Sequence, residues 1–152
     1  VSGEFDVVLM ECVLSTLERK PESLRQLYRI TKPGGFIALT DVTMAAELPE
    51  ELSGSIGAAL CMADARDLDE YMSLVEEAGF KVKEYRSAKE AVQELIKKIG
   101  TRLLIADAAI GLGSLKVDRS LIVAARDALK TASKLVEEGT LGYGLIVAQR
   151  VG

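Results

Sequence analysis

The sequence contains no histidine and only two cysteines in 152 residues. The absence of histidine excludes Ser-His-Asp and Cys-His catalysis, histidine-ligated metals and the usual proton shuttle near neutral pH. The two cysteines, Cys12 and Cys61, are too few and too far apart for a zinc cluster. Any chemistry must therefore use carboxylates, thiols, hydroxyls or the positioning of reactants.

Basic clusters and long apolar runs are also missing. A net charge of −4 argues against a nucleic-acid surface, because neutralising phosphates requires clustered Lys and Arg. The longest apolar runs, such as residues 56–63, are too short to span a bilayer, and no signal peptide opens the sequence. We therefore expect no nucleic-acid or membrane partner and a reducing, cytoplasmic compartment. Because the chain opens at Val1 rather than Met, we expect that residues upstream have been removed.

The remaining composition is that of one folded α/β domain over residues 1–152. Hydrophobic residues make up 49% of the chain, which is too many for a disordered protein. Apolar runs typical of buried strands alternate with stretches of helical periodicity. Strands are predicted at residues 5–10, 36–42, 80–85 and 143–151. Helices are predicted at residues 21–31, after N-caps at Asp67, Ser87 and Asp118, and, after a break before residue 101, at residues 101–110, with stops at Gly79 and Gly139. A tight turn is predicted at Pro33-Gly34-Gly35, between the first helix and the second strand.

Three sequence motifs occur in a fixed order. They are F-D-V-V from residue 5, R-I-T-K-P-G-G from residue 29 and Y-M-S-L-V-E-E-A-G-F from residue 71. In this order and at this spacing they resemble the second half of class I S-adenosylmethionine-dependent methyltransferases. The resemblance implies the C-terminal part of a Rossmann-like sheet, mostly parallel with its last strand antiparallel. Residues 87–139 then form a helical insertion between the last two strands.

The resemblance also implies that parts of the fold lie outside this sequence. The family's glycine-rich cofactor loop and its ribose-binding acid would precede Val1. The glycine pairs Gly111/Gly113 and Gly142/Gly144 lack the setting of such a loop and are interpreted as turns or helix stops. Residues 5–10 alone would form an exposed apolar edge, so we expect a missing N-terminal half or a second copy of the chain to cover it.

Candidate site residues follow the ends of the first two strands. Ligands in open α/β sheets bind outside the carboxyl ends of the strands, and the resemblance implies cofactor contacts there. The candidates for the cofactor S-adenosylmethionine are Met10, Glu11, Cys12 and Val13. Asp41 is a candidate substrate ligand, or alternatively a carboxylate that caps the following turn.

The two cysteines suggest a more specific substrate. The stretch from Glu11 to Ser15, with the later Cys61, is similar to arsenite methyltransferases, which bind arsenic through thiolates. The sequence departs from that pattern because the family's first ligand would fall at Leu14. Two buried, inert cysteines are the alternative that this departure favours.

Two functions follow from these patterns. The first is S-adenosylmethionine-dependent methyl transfer to a small-molecule acceptor, with this chain supplying the C-terminal half and binding little cofactor alone. The second is a non-catalytic, self-associating α/β module with an interface formed by residues 87–139. The long insertion also leads us to expect a homo-oligomer, such as a dimer.

Overall fold

The computed structural model describes residues 3–52 and 62–152, which form alternating strands and helices. The strands are β1 (Phe5–Glu11), β2 (Thr31–Met44), β3 (Phe80–Ser87) and β4 (Leu141–Arg150). The α-helices are α1 (Lys20–Ile30), α2 (Leu68–Glu77), α3 (Lys89–Gly111) and α4 (Arg119–Glu137). Short 3-10 turns occupy Leu14–Thr16 and Glu50–Leu52. Among the helices described, none is long and apolar enough to cross a membrane.

The strands form one sheet in the order β1-β2-β4-β3. β1 and β2 are parallel, with Met10 opposite Leu39, and α1 connects them. β4 runs antiparallel to both β2 and β3, with Leu39 opposite Ile146. The predicted α/β sheet with an antiparallel last strand is therefore confirmed.

Two apolar clusters hold the helices against this sheet. The first packs α1 and α2 against one sheet face through Leu24, Tyr71, Val75, Ile37 and Ile146. The second cluster packs α3 and α4, which together form a helical hairpin, against the sheet near the carboxyl end of β2 and the start of β4. Its members include Met44, Val92, Ala132, Val136 and Leu141. The hairpin therefore lies at the sheet end where α/β proteins bind ligands.

The helix signals in the sequence are confirmed in part. Asp67 and Asp118 cap α2 and α4 by accepting hydrogen bonds from the backbone N–H groups of Glu70 and Ser120. The predicted cap at Ser87 is wrong, because α3 begins after Ala88 and no side chain caps it. The predicted break before residue 101 is also wrong. α3 continues through Gly100, whose Cα faces Leu129 of α4, because packing on α4 outweighs the weak helix propensity of glycine.

The Pro-Gly-Gly turn brings β2 back against β1. Gly34 has φ +79°, a conformation that suits glycine. A Cβ on Gly35 would lie 2.8 Å from the carbonyl oxygen of Asp6, so the two backbones approach too closely for a side chain. The predicted turn is confirmed. It lies inside β2, as an irregularity in the pairing of β2 with β1, and does not mark the start of the strand.

The two sheet edges differ in character. β3 carries exposed Lys81, Lys83, Glu84 and Arg86, the charged pattern that protects an edge strand, as the sequence predicts. β1 forms the other edge and exposes Phe5, Val7 and Leu9 by 47%, 54% and 76%. The described chain therefore has the expected exposed apolar edge. β1 is not buried on both of its faces in this part of the chain.

Candidate functional site

The carboxyl ends of β1 and β2 meet beside the start of β4 and bring together residues that are far apart in the sequence. Glu11 lies opposite Thr40, and the backbone N–H of Cys12 donates to the carbonyl oxygen of Thr40 at 2.9 Å. Tyr143 of β4 lies opposite Val42. We refer to Glu11, Cys12, Thr40 and Tyr143 as the strand-end cluster, and to residues 12–17, which leave it, as the strand-end loop.

Cys12 has an unusual backbone conformation in this cluster. Its φ of +50° is the only positive value among the non-glycine residues that the structure describes. Such a conformation costs free energy in a residue with a side chain and tends to occur at functional sites. The half-buried Sγ lies 3.6 Å from the hydroxyl oxygen of Tyr143.

Tyr143 is a site residue that the sequence did not reveal. Burial raises the pKa of its hydroxyl to about 12; Cys12 and Glu11 act in the same direction, and a hydrogen bond with Thr40 opposes them. The hydroxyl is therefore neutral near pH 7, where it can donate or accept a hydrogen bond but cannot act as a phenolate base. Its proximity to Cys12 arises from the β2–β4 pairing, which no local pattern in the sequence encodes.

The other predicted cofactor ligands lie around this cluster but differ in environment. Glu11 is exposed. Met10 is half-buried and packs against the first apolar cluster. Val13 is exposed at the start of the strand-end loop. Cofactor contact by these residues and by Cys12 stays a prediction.

Asp41 is buried beneath the strand-end loop. Its carboxylate accepts hydrogen bonds from the backbone N–H of Ser15 at 3.1 Å and from that of Val42 at 2.8 Å. These contacts are those of a carboxylate that holds a turn, the alternative left open by the sequence. Its assignment as a substrate ligand stays a prediction, and so does that of Cys61, which lies outside the described residues.

An open cavity of about 370 Å³ lies beyond the end of β2. It is lined by residues 44–48, residues 62–67 and Glu70. Within this lining, the guanidinium group of Arg66 contacts the carboxylates of Asp64 at 2.8 Å and of Glu70 at 3.7 Å. The volume falls within the range of small-molecule sites. No pattern in the sequence predicts this cavity, because its two walls come from separate stretches of chain.

The two glycine pairs do not form a cofactor loop. Gly113 has φ +72° and ends α3, which confirms its interpretation as a helix stop. Gly142 and Gly144 lie in β4, where a Cβ would come within 2.8 Å of Thr43 and 2.7 Å of Leu68. Neither glycine pair stands between a parallel strand and a helix, so neither has the setting of a nucleotide-binding loop. The part of the chain that the structure describes also contains no group of residues that could hold a metal ion.

Comparison with known proteins identifies the family of this fold. The methyltransferase domain family matches residues 1–79, half of the chain. The chain belongs to this family of class I S-adenosylmethionine-dependent methyltransferases. S-adenosylmethionine is the family's cofactor, as the sequence motifs imply.

Curated relatives match the same part of the chain. Arsenite methyltransferase of Halobacterium salinarum is 28% identical over 89 residues, which are 58% of this chain and 23% of that protein. Arsenite methyltransferase of Homo sapiens is 32% identical over 76 residues, which are 49% of this chain and 20% of that protein. The matched regions thus span about a fifth to a quarter of these relatives' length.

Solved structures share the fold over nearly the whole chain. Phosphoethanolamine N-methyltransferase 2 of Haemonchus contortus matches with a TM-score of 0.77 at 14% identity. The match covers 100% of this chain and 34% of that enzyme. The cyclopropane synthase MmaA2 of Mycobacterium tuberculosis has a TM-score of 0.78 at 12% identity; the match covers 98% of this chain and 56% of that one. The Rossmann-like methyltransferase fold therefore includes β4 and the helices that precede it.

Proposed function

We propose that this chain supplies the C-terminal half of an S-adenosylmethionine-dependent methyltransferase that acts on a small acceptor. The observation that carries the proposal is the strand-end cluster, in which Cys12 adopts a positive φ beside Tyr143 at the carboxyl ends of β1 and β2. This is the sheet end where α/β folds bind ligands.

The chemistry requires positioning more than acid–base catalysis. When bound, the cofactor supplies a methyl group on a sulfonium, and the acceptor must lie in line behind that methyl. Orientation of this kind can account for roughly 7–11 kcal/mol of a reaction barrier. In this proposal Met10 to Val13 form one wall of the cofactor site, and the cavity beyond β2 holds the acceptor. The absence of histidine is compatible with this mechanism.

Arsenite is the acceptor to test first. The curated relatives are named arsenite methyltransferases, and trivalent arsenic is a soft ion that prefers thiolate ligands. Cys12 places a thiol at the strand ends. The expected result is a loss of arsenite methylation in Cys12→Ser that exceeds any loss of cofactor affinity, because serine keeps the size of the side chain in the cofactor wall and removes the thiol. Cys61→Ser measures the contribution of the second thiol. Unchanged methylation in both variants would leave the cysteines as core residues and point to another acceptor.

We further propose that the missing N-terminal half of the fold covers the β1 edge. In the part of the chain that the structure describes, β1 pairs only with β2, so its other side is an open edge. The exposed Phe5, Val7 and Leu9 of this strand contrast with the charged β3 edge. A second copy of the chain is the other possible cover. A cytoplasmic location stays a prediction from the cysteine content.

Calorimetric titration with S-adenosylhomocysteine tests the half-fold directly. Residues 1–152 alone should bind little or none, whereas the full-length gene product should bind. Leu9→Lys should weaken binding by the full-length protein because it places a charge at the covered edge, and Lys83→Glu on the β3 edge is the matched control. Tight binding by residues 1–152 alone would contradict the proposed division of the fold.

One observation favours the second candidate function, a self-associating module. The α3–α4 hairpin exposes apolar side chains near its tip, including Leu104, Ile105 and Leu112. Exposed apolar patches of this kind mark association surfaces in soluble proteins. Light scattering coupled to size-exclusion chromatography would test it: Leu112→Lys should convert a dimer of residues 1–152 to a monomer, and a wild-type monomer would exclude the module.

A further inference from the structure

Two buried charged residues hold the strand-end loop in place. Lys20 and Asp41 are 3% and 4% exposed, and they are the only fully buried residues with a formal charge in the part of the chain that the structure describes. Lys20 Nζ donates to the carbonyl oxygen of Leu17 at 2.8 Å. Asp41 accepts from the backbone N–H of Ser15 at 3.1 Å. Both buried charges therefore bind the same six-residue loop.

Stability alone is a poor reason for this arrangement. Burying a charge is costly, and apolar residues of similar volume often stabilise a fold at least as well as a buried ion pair. Departures from such rules tend to occur at functional sites. The feature that these two residues secure is the loop that begins with the positive-φ Cys12 and continues through Val13.

The same network reaches the cavity beyond β2. Lys20 Nζ also contacts the Asp64 carboxylate, and the backbone N–H of Asp64 donates to the carbonyl oxygen of Ser15 at 3.0 Å. Asp64 and its partner Arg66 both line the cavity. The strand-end loop and the cavity wall are therefore joined through Asp64.

We infer that Lys20 and Asp41 are positioning residues for methyl transfer. This inference rests on the proposed function. For Asp41 the inference adopts the turn-capping alternative in place of the substrate-ligand one, so that neither side chain contacts the reactants. Asp41 fixes the loop from the β2 side, and Lys20 fixes it from the α1 side through Leu17 and Asp64. Together they set the position of Cys12 and Val13 relative to the cofactor and to an acceptor in the cavity.

The test uses the full-length gene product, with S-adenosylhomocysteine as the probe in calorimetry. Asp41→Asn keeps the shape of the side chain but replaces one carboxylate oxygen with an NH2 group, so only one of the backbone N–H groups of Ser15 and Val42 keeps its acceptor. Lys20→Met keeps the apolar stem and removes the amine. Each variant should bind the probe roughly 10- to 100-fold more weakly, the fold-change that corresponds to a lost hydrogen bond to a charged group that holds the binding loop. Lys98→Met, which removes only the exposed ion pair with Glu94 on α3, is the matched control and should bind as wild type does.

A double variant separates positioning from folding. Lys20→Met with Asp64→Asn removes both charges of the pair, so it recovers whatever part of the loss in thermal midpoint comes from leaving the Asp64 carboxylate without Lys20, with Arg66 as its remaining partner. Its probe affinity should stay reduced, because the tether to Leu17 is still absent. Affinity that recovers in step with the midpoint, or single variants that bind within twofold of wild type, would overturn the inference. Failure of the wild-type protein to bind the probe would instead overturn the proposed function.

Discussion

The hydroxyl of Tyr71 donates a hydrogen bond to the carbonyl oxygen of Val42 at 3.3 Å and so ties α2 to the end of β2. The same hydroxyl accepts from the backbone N–H of Arg66 at 3.1 Å. Because Tyr71 is 2% exposed, burial dominates its environment and raises the pKa of its hydroxyl well above the usual value. The group is therefore a neutral structural link beside the proposed acceptor cavity.

Replacing Tyr71 with phenylalanine should destabilise the protein. The ring would still fill its place in the core, but two backbone groups would lose their partner, a loss of roughly 1–3 kcal/mol. Chemical denaturation followed by circular dichroism measures this change, since the chain contains no tryptophan. Tyr85→Phe, on an exposed side chain of β3, is the control and should change stability by less than about 0.5 kcal/mol. Equal effects of the two substitutions would contradict the structural role of the Tyr71 hydroxyl.

Replacing Gly79 with alanine should also destabilise the fold. Gly79 has φ +104°, and a Cβ there would lie 2.9 Å from the ring of Tyr28. Backbone strain and this collision together predict a loss of roughly 1–3 kcal/mol. Gly111→Ala is the matched control: Gly111 ends α3 with open space around it, so stability should stay constant or rise by at most about 1 kcal/mol. A Gly79→Ala variant as stable as wild type would contradict the assigned backbone geometry.

Features of the fold that depend on neighbouring residues could be predicted from the sequence, whereas features that depend on tertiary packing could not. The turn at Gly34 and the cap at Asp67 depend on residues within a few positions, and both were predicted. The continuation of α3 through Gly100 depends on packing against α4.

The same distinction applies to the candidate site, where the residues at the strand ends could be predicted and their contact across the sheet could not. Because strand ends gather at one edge of a parallel sheet, Cys12 and Asp41 could be placed there in advance. Tyr143 could not, since its contact with Cys12 spans 131 positions along the chain and requires the antiparallel pairing of β2 with β4.

Ser15→Ala should increase stability. Ser15 is fully buried, and its hydroxyl oxygen has no hydrogen-bond partner among residues 3–52 and 62–152, whereas its backbone N–H donates to Asp41. Removing an unsatisfied buried hydroxyl while keeping the backbone contact should raise the free energy of unfolding by roughly 1 kcal/mol. Ser73→Ala on the exposed face of α2 is the control and should have an effect of a few tenths of a kcal/mol. A loss of stability at Ser15 would mean that its hydroxyl has a partner that this arrangement lacks.

The ion pair between Lys20 and Asp64 should make the free energy of unfolding depend on pH in the acidic range. Partial burial alone would raise the pKa of Asp64, but Lys20, through its hydrogen bond and charge, and Arg66 outweigh burial and lower that pKa below the usual 3.8. A lowered pKa in the folded state stabilises the protein above pH 3.8, and this contribution disappears as the pH falls through the folded-state value. The stability difference between wild type and Asp64→Asn should thus be constant from pH 7 to pH 5 and shrink below about pH 4.

Urea denaturation at pH 7, 5, 4 and 3 measures this stability difference, with Asp6→Asn as the control for loss of one exposed negative charge. A difference that grows toward pH 3 would show that Asp64 is stabilised in its protonated form and would contradict its pairing with Lys20.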